Sequence, residues 1–187
     1  MFNKKNNLKN SSIRQAIKIL KNGGIGIMPT DTLYGLVGSA FSRRAINRIY
    51  KLKNRNKNKK SIILISSVKD LKKFKINLND VQSRTLNKFW PGKVSIVINN
   101  IAFRLPVKES LIEVLKKTGP LVAPSANPEK LVPARNIKEA KKYFRNEVDF
   151  YLASGTLKSK PSTLIKINKN NEIEVLRGTL KRNGKSY

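Results

Sequence analysis

Three short polar segments carry side chains suited to binding a small polar or phosphorylated ligand. The first, residues 29–35, has the sequence PTDTLYG and follows an apolar stretch. Its two threonine hydroxyls and its carboxylate offer hydrogen-bond donors and acceptors at close spacing. If the apolar stretch is a strand of an open α/β sheet, this loop lies at a strand end, where ligands bind in such folds. An ordinary loop, in which Asp31 and the threonines bond their own backbone, accounts for the residues equally well.

The second segment, residues 53–60 (KNRNKNKK), contains five cations in eight positions. An arginine such as Arg55 can hold phosphate oxygens through two parallel hydrogen bonds, and a lysine acts as a point charge. Composition favours a plainer interpretation, a solvated basic loop or one that complements the negative end of the preceding helix. The residues alone leave both interpretations open.

The third segment, residues 124–128 (PSANP), places a hydroxyl and an amide between two prolines. Proline stiffens the backbone, so Ser125 and Asn127 would point in a fixed direction, although a simple turn explains the pattern as well. Arg104 and Arg177 each lie at the end of a predicted strand. The chain has no GxxxxGK[ST] sequence, which rules out a P-loop ATPase.

The composition narrows the chemistry further. The 187 residues include no cysteine and no histidine. Disulfides, thiolate nucleophiles, Cys-ligated metal sites and mechanisms that need an imidazole are therefore excluded. What remains is chemistry performed by lysine, arginine, hydroxyl and carboxylate groups, with metal ions carried by substrate phosphates. We assign no metal ligands in the protein.

The chain is strongly basic, with 40 Lys and Arg against 11 Asp and Glu and a net charge of +29. A basic surface attracts phosphates and binds nucleic acid without sequence preference. The 29 lysines and 21 asparagines are also what A/T-rich codons produce by drift. Drift therefore competes with nucleic-acid binding as the cause of much of the excess charge.

Length and pattern indicate one domain over residues 1–187, with the motif-bearing region at about 11–180. The first residues lack the apolar stretch of a signal peptide, and the longest apolar runs are far shorter than a membrane span. We expect a cytoplasmic protein with no membrane contact.

Hydrophobic spacing and turn residues predict elements that alternate early in the chain and end in a hairpin. Helices are predicted from Ser11 or Ser12 to 21 and over residues 42–52, 67–74, 80–89, 110–117 and 136–144. Strands are predicted over residues 25–28, 61–66, 94–98, 102–105, 121–123, 162–167 and 172–176. This order indicates an α/β fold, a single domain with a twisted, mixed and mainly open sheet flanked by helices.

Taken in order, these segments resemble the motifs of the YrdC/Sua5 family, the threonylcarbamoyl-AMP synthases, along nearly the whole chain. Each motif is short, and the specificity comes from eight of them in the correct order. The matching pieces are residues 23–24 with 27–36, then 53–55 (KxR), 89–92 (FWPG), 104–106 (RxP), 125–127 (SxN), 161–163 (PST) and 176–178. The chain is similar to the short form of the family, without the C-terminal domain of Sua5.

The resemblance implies an enzyme, an L-threonylcarbamoyladenylate synthase. In that reaction L-threonine and bicarbonate form an N-carboxylated threonine, which attacks the α-phosphorus of ATP and releases diphosphate. A threonylcarbamoyl transferase complex then modifies the adenosine next to the anticodon in tRNAs that read codons beginning with A. Mg²⁺ would accompany ATP, and the chemistry is mainly positioning and charge neutralisation, which needs neither cysteine nor histidine.

The resemblance also implies roles for individual residues. Two residues would be catalytic and hold the ATP phosphates, Lys53 and Arg55. Four others would bind ATP, namely Lys59, Ser125, Asn127 and Arg177. Three would bind threonine, with the arginine pairing its carboxylate, namely Thr32, Arg104 and Ser162.

The chain departs from the family pattern at four positions. Asn56 and Lys60 replace residues that are often proline, so the basic loop would be looser. Leu64 lies near a position where some relatives have a histidine on the threonine side, and Val37 replaces a common glycine.

Two other functions are kept as alternatives. A non-catalytic tRNA or double-stranded-RNA binding protein also explains the net charge, and RNA contact can accompany the enzyme as a secondary property. A hydrogenase-maturation carbamoyl transferase is disfavoured, because that family places a similar module beside cysteine-rich zinc segments that this chain lacks.

Overall fold

The computed structural model describes residues 4–56, 59–168 and 172–180. Its α-helices are α1 (Lys4–Lys21), α2 (Arg43–Leu52), α3 (Asp80–Phe89), α4 (Glu109–Thr118) and α5 (Ile137–Phe144), and a 3₁₀ helix spans Val68–Phe74. Its strands are β1 (Ile25–Pro29), β2 (Tyr34–Ser39), β3 (Ile63–Leu64), β4 (Val94–Ile98), β5 (Ile101–Arg104), β6 (Leu121–Val122), β7 (Phe150–Tyr151), β8 (Thr163–Ile167) and β9 (Ile173–Arg177). The predicted alternation and the C-terminal hairpin are confirmed.

The strands of the described residues form one sheet in the order β7-β1-β2-β6-β3-β5-β4-β8-β9. The pairs β1–β7, β3–β5 and β4–β8 are parallel, and the other neighbouring pairs are antiparallel. β7 and β9 lie at the two edges. The predicted fold class, an α/β fold with a mixed, open sheet, is therefore confirmed.

No strand was predicted between β1 and α2, but β2 (Tyr34–Ser39) lies there and pairs antiparallel with β1. Two glycines in β2 obscure its strand pattern in the sequence. Packing requires one of them, since a Cβ on Gly38 would lie 3.0 Å from the Ile25 side chain and 3.1 Å from Ala45 Cβ. The β1–β2 hairpin leaves residues 30–33 as a tight loop at the end of the sheet.

Capping side chains mark where two helices begin. Ser42 precedes α2, and its hydroxyl accepts a hydrogen bond from Ala45 N at 3.2 Å. Asn136 precedes α5 in the same way and accepts from Glu139 N at 2.9 Å. These bonds satisfy N–H groups that have no partner within the helix, and both predicted starts are confirmed.

The strand predicted over residues 61–66 is shorter in the structure, where β3 spans only Ile63–Leu64, and two larger differences concern α1 and β7. α1 begins at Lys4, so a start at Ser11 or Ser12 is wrong. Lysine and leucine are good helix formers, and no proline or glycine precedes Ser11 to end the helix, so the asparagines do not prevent it from extending to Lys4. The two-residue strand β7 is too short to give a sequence pattern and forms because it pairs in parallel with β1, Phe150 opposite Gly26.

Apolar side chains cover both faces of the sheet. Leu36 and Val37, which are successive in β2, belong to different buried clusters, as expected because alternate strand residues point to opposite faces. The cluster containing Val37 joins the sheet to α1 and α4 through Leu20, Leu64 and Leu115. The cluster containing Leu36 joins it to α2, α3 and α5 through Ile49, Phe89 and Phe144.

α1 is the longest helix of the described residues, with 18 residues. Neither α1 nor another helix in this part of the chain combines the length and the apolar character needed to cross a membrane.

Candidate functional site

A cavity of about 320 Å³ opens where loops at the strand ends converge, and we call it the polar cavity. Its volume lies within the range of small-molecule sites, roughly 300–1,000 Å³. Its wall combines the β1–β2 loop, the segment before β3, part of β5, the loop after β6 and the residues around the start of β8 and the end of β9. Six of the predicted site residues lie on it, namely Thr32, Arg55, Arg104, Ser125, Ser162 and Arg177.

Hydrogen bonds within the β1–β2 loop fix its two hydroxyl groups. Thr30 N and Thr30 Oγ1 donate to Leu33 O at 3.0 and 2.7 Å, and Thr32 N donates to Thr30 Oγ1 at 3.1 Å. Both threonines are buried. The loop therefore presents hydroxyl oxygens in defined positions at the end of the sheet.

Arg104, at the end of β5, extends its guanidinium into this loop. Nη1 donates to Thr32 Oγ1 at 3.2 Å, and Nη2 donates to Asp31 Oδ1 at 2.7 Å and to Thr30 Oγ1 at 3.4 Å. The side chains of the ion pair are 5% and 2% exposed. Arg104 thus offers a fixed, buried guanidinium on the cavity wall, the geometry that suits recognition of a carboxylate.

The Arg104–Asp31 pair is incompletely bonded. Within the part of the chain that the structure describes, Arg104 Nε and Asp31 Oδ2 are buried and have no hydrogen-bond partner. Burial lowers the pKa of Arg104, the Asp31 carboxylate opposes this, and the charge of Arg177 lowers it further. An unsatisfied buried donor costs free energy, so this guanidinium suits a ligand that brings acceptor oxygens.

Strand β9 brings Arg177 against Ser162 at another part of the wall. Arg177 Nε and Nη2 donate to Ser162 O at 3.3 and 3.0 Å, and Nη2 also contacts Ser162 Oγ at 3.3 Å. Ser162 Oγ shares a 2.9 Å hydrogen bond with Ser95 Oγ, and both serines are buried. The antiparallel pairing of β8 and β9 therefore positions a hydroxyl and a guanidinium together.

Arg55 reaches the polar cavity from the segment after α2. Its Nε donates to Lys59 O at 2.8 Å, and its Nη2 donates to Lys60 O at 3.3 Å. These carbonyls hold the half-buried guanidinium where it lines the cavity beside Lys60.

The polar cavity is a region of positive charge. Burial lowers the pKa of Arg177, and the charge of Arg55 lowers it further, just as Arg177 does for Arg104. The described lining residues include no Asp or Glu. The three guanidinium groups therefore repel one another, and a bound anion would relieve that repulsion.

Protein side chains offer no metal centre in the part of the chain that the structure describes, where no group of three or more Asp, Glu, His or Cys could hold an ion. The carboxylate next to the cavity, that of Asp31, forms an ion pair with Arg104.

Three of the predicted site residues do not line the polar cavity, namely Lys53, Lys59 and Asn127. Lys59 is exposed and pairs with Glu129 at 2.7 Å. Asn127 is buried behind Ser125, whose Oγ donates to Asn127 Oδ1 at 2.6 Å. Lys53 is 2% exposed and donates from Nζ to Ser125 O and Asn127 O. The structure thus puts Lys53 and Asn127 behind the wall, because the loop after β6 packs over the end of α2.

Three residues that shape the site are not among the nine predicted site residues, although the Asp31 carboxylate was considered as a hydrogen-bonding group of the first segment. Lys60 lines the cavity. Asp31 is the ion-pair partner of Arg104. Tyr34 Oη donates to Gly155 O and accepts from Ser154 N, both at 2.8 Å, which holds the segment after β7 against the β1–β2 hairpin. Asp31 and Tyr34 lie within the first motif, and Lys60 lies within the basic run. Their location in these segments was the sequence feature that could have identified them as site residues.

The departures at positions 37 and 64 fall away from the polar cavity. Val37 and Leu64 are fully buried and belong to the apolar cluster under α1 and α4. Neither appears on the described wall of the cavity, so a histidine contact has no counterpart at Leu64.

Comparisons with known proteins agree with this fold and these motifs. The family model described as Sua5/yciO/yrdC, telomere recombination, matches residues 18–179. A threonylcarbamoyl-AMP synthase of Hahella chejuensis is 31% identical over 169 residues, which cover 81% of this chain and 91% of that protein.

Two solved structures have the same fold. P. abyssi Sua5 complexed with L-threonine is 24% identical with a TM-score of 0.79, covering 88% of this chain and 53% of that one. E. coli YciO is 22% identical with a TM-score of 0.77, covering 88% and 87%. The chain thus spans about half the length of that Sua5 and most of YciO. The match over residues 18–179, together with this likeness, shows that the chain belongs to the Sua5/YciO/YrdC family.

Proposed function

We propose that this protein is an L-threonylcarbamoyladenylate synthase, which makes threonylcarbamoyl-AMP and diphosphate from L-threonine, bicarbonate and ATP. The observation that carries the proposal is one cavity that presents three guanidinium groups, those of Arg55, Arg104 and Arg177, and no carboxylate among its described lining residues. A triphosphate and an amino-acid carboxylate are both anions, and a cavity that binds both brings the two substrates together for reaction. Relatives named threonylcarbamoyl-AMP synthase support the choice of reaction.

The two substrates would occupy different parts of the polar cavity. Arg104 is buried and framed by Thr32, which suits the compact carboxylate of threonine. Arg55 and Arg177 are more exposed, and Ser125 lies on the same wall, which suits a long triphosphate. The complex of P. abyssi Sua5 with L-threonine supports an amino-acid site in this fold.

In the proposed reaction, the amine nitrogen of threonine forms a bond to the carbon of bicarbonate and water leaves. An oxygen of the resulting N-carboxylate then forms a bond to the α-phosphorus of ATP. The bond from that phosphorus to the oxygen bridging the α- and β-phosphates breaks, and diphosphate leaves with the electron pair. The guanidinium groups offset the charge that develops on the phosphate oxygens. The substrate supplies the nucleophile, so the reaction needs no cysteine or histidine.

Mg²⁺ enters this proposal as part of the MgATP substrate. Oxygens of the triphosphate and water would be its ligands, as is usual for a magnesium nucleotide, because the described wall offers no carboxylate.

Downstream, we propose that the product passes to a threonylcarbamoyl transferase complex that modifies tRNA, in the cytoplasm where tRNA and ATP occur. The net charge of +29 supports a secondary contact with tRNA.

The test measures diphosphate release from ATP by the purified chain with Mg²⁺. We expect release only when L-threonine and bicarbonate are both present, with threonylcarbamoyl-AMP identified by mass spectrometry. Arg55→Ala should lower kcat/KM for ATP about 10- to 100-fold, because hydrogen bonds to a charged group are lost. Arg84→Ala, on an exposed part of α3, is the matched control and should leave kcat/KM unchanged.

Diphosphate release that does not depend on threonine would contradict the proposal. A folded protein that releases no diphosphate with all substrates present would also contradict it. RNA binding that persists in Arg55→Ala, without turnover in either protein, would favour the non-catalytic RNA-binding alternative.

A further inference from the structure

We infer that Lys53 is a positioning residue that fixes the Ser125 hydroxyl from behind the cavity wall, rather than a direct ligand of the ATP phosphates. This role deepens the proposed function and rests on it for its effect on catalysis. The contacts that define it lie within the protein, so they can be tested without substrate.

The ammonium group of Lys53 is fully used by protein oxygens. It has three N–H donors and faces three acceptors, Ser125 O, Asn127 O and, at 3.4 Å, Asn127 Oδ1. No donor is left for a phosphate. Among the residues whose burial the structure describes, Lys53 and Arg104 are the only cationic side chains that are buried, so the ammonium is also withheld from solvent.

The three oxygens belong to one short loop, and that loop carries a hydroxyl to the cavity. Ser125 Oγ donates to Asn127 Oδ1 at 2.6 Å, so one amide oxygen accepts from both the hydroxyl and Lys53. Asn127 Nδ2 donates to Pro128 O and Leu131 O at 2.9 and 2.7 Å, which fixes the orientation of the amide. Of Lys53, Ser125 and Asn127, only Ser125 lines the described wall.

A lysine suits this place because the loop presents acceptors and needs a donor. If Lys53 were apolar, the oxygens of Ser125 and Asn127 would lose their shared donor and remain close to one another. Unsatisfied buried oxygens cost free energy, so the loop would open towards water and release the Ser125 hydroxyl from its fixed direction.

The protonation state gives a second way to observe the role. The pKa of Lys53 is lowered to about 8, first by burial and then by the charge of Arg55, while the charge of Glu129, the ion-pair partner of Lys59, opposes the shift. At pH 7 the group is an ammonium with three donors. Above pH 8 it becomes an amine with two donors for three acceptors, and the loop loses one bond.

Amide hydrogen exchange on the substrate-free protein tests the positioning directly. Lys53→Met should speed exchange about tenfold or more at amides bonded to this loop, since a net hydrogen-bond loss of at least about 1.4 kcal/mol is tenfold. The amides to follow are Leu36 N, which donates to Pro124 O, and Ala134 N, which donates to Ala126 O. Lys51→Met, an exposed lysine on α2, is the matched control and should leave exchange unchanged.

Kinetics separate positioning from direct contact. If Lys53 acts through Ser125, Lys53→Met and Ser125→Ala each lower kcat/KM for ATP, and the double variant is no worse than the poorer single variant within about twofold. A phosphate ligand would give additive losses, a loss of affinity that grows from AMP to ADP to ATP, and unchanged amide exchange. That set of results would overturn the inference.

If Lys53→Met does not fold, the wild-type protein still decides the matter. Nitrogen-15 NMR of the lysine ammonium groups should show one slowly exchanging signal that disappears as the pH rises through about 8. That signal should be missing in Lys53→Arg, and its absence from the wild type would overturn the inference. These measurements need no substrate, so they hold even if the chain fails the synthase assay, and a working synthase with unprotected Lys53 would refute only the positioning.

Discussion

Arg104 carries a positive charge into the protein, and Asp31 balances it there. Both side chains are almost fully buried, and Arg104 also faces the polar cavity, whereas Asp31 does not appear on its described wall. A buried pair of this kind contributes little net stability, but removing one partner leaves an uncompensated charge. The ion pair therefore allows Arg104 to remain buried and charged when no anionic ligand is bound.

Asp31→Asn should lower the free energy of unfolding by about 3 kcal/mol, because it leaves the Arg104 charge buried without its partner. Threonine should then raise the melting temperature of Asp31→Asn more than that of the wild type, since its carboxylate replaces the missing charge. Differential scanning calorimetry with and without L-threonine measures both effects.

Asp80→Asn is the matched control for this variant, because Asp80 is exposed at the start of α3. It should change stability by less than about 1 kcal/mol and leave the threonine effect as in the wild type. Equal threonine shifts in Asp31→Asn and the wild type would mean that Arg104 does not meet the carboxylate.

Lys53 also shows how pH separates stability from activity at one residue. Its folded-state pKa of about 8 lies below its ordinary value of 10.5, so the folded protein holds this proton less tightly than the unfolded chain does. Its burial therefore costs stability in full below pH 8, and that cost is relieved as the pH rises from 8 towards 10.5. Loss of turnover above pH 8 without loss of stability would fit loosening of the 125–127 loop.

The motifs predicted which residues lie near the site. The burial and the contact partners of each residue depend on the fold, and the motifs did not predict them. Six of the predicted residues do line one cavity. Nothing in the run KNRNKNKK distinguishes the buried Lys53 from the exposed Lys59, because burial depends on the loop after β6, which is distant in sequence. Likewise, Asp31 could bond its own backbone or a partner, and only the approach of β5 supplies Arg104.

At the scale of elements, the β1–β2 hairpin supports the site, and β1 is itself held by β7. Gly26 in β1 lies against the ring of Phe150 in β7, and a Cβ at Gly26 would overlap that ring. The absence of a side chain therefore lets β7 pair and brings the following segment, with Ser154 and Gly155, to the Tyr34 hydroxyl.

Gly26→Ala should lower the free energy of unfolding by about 1–3 kcal/mol, because the added methyl group displaces the ring of Phe150 or separates β7 from β1. Urea denaturation followed by circular dichroism measures the loss. Gly26→Ala with Phe150→Ala removes the overlap, so the double variant should be less destabilised than the sum of the two single variants. Additive losses would show that the ring does not constrain Gly26.

Helices were predictable where a capping residue and a periodic apolar face coincide, as at Ser42 for α2 and Asn136 for α5. Strands were predictable where β-branched and other apolar residues are concentrated over about five positions, as in β4 (VSIVI) and β8 (TLIKI). β2 was not predicted because it contains two glycines, one of which, Gly38, is required by close packing. β7 was not predicted because two residues are too few to show a periodic pattern. In both cases contacts with distant segments, not local propensity, create the strand.

At the scale of the whole molecule, the net charge of +29 on 187 residues dominates the long-range field. The described ion pairs are mostly exposed, such as Lys116–Glu113 and Lys166–Glu174, and exposed pairs contribute little stability. Repulsion among the remaining cations opposes compactness, and the same field attracts anionic ligands. Salt should therefore affect folding and ligand binding in opposite directions.

We expect NaCl to raise the melting temperature between about 20 and 200 mM, because the Debye length falls from roughly 20 Å to below 10 Å and repulsion is screened. Over the same range the affinity for ATP should fall, as measured by isothermal titration calorimetry, because the attraction is screened too. Sulfate at equal ionic strength separates screening from occupation of the site. Any extra stabilisation by sulfate over chloride should shrink in Arg55→Ala, while the stabilisation by chloride persists. A melting temperature that falls with NaCl would show that exposed ion pairs, and not net repulsion, govern the stability of this fold.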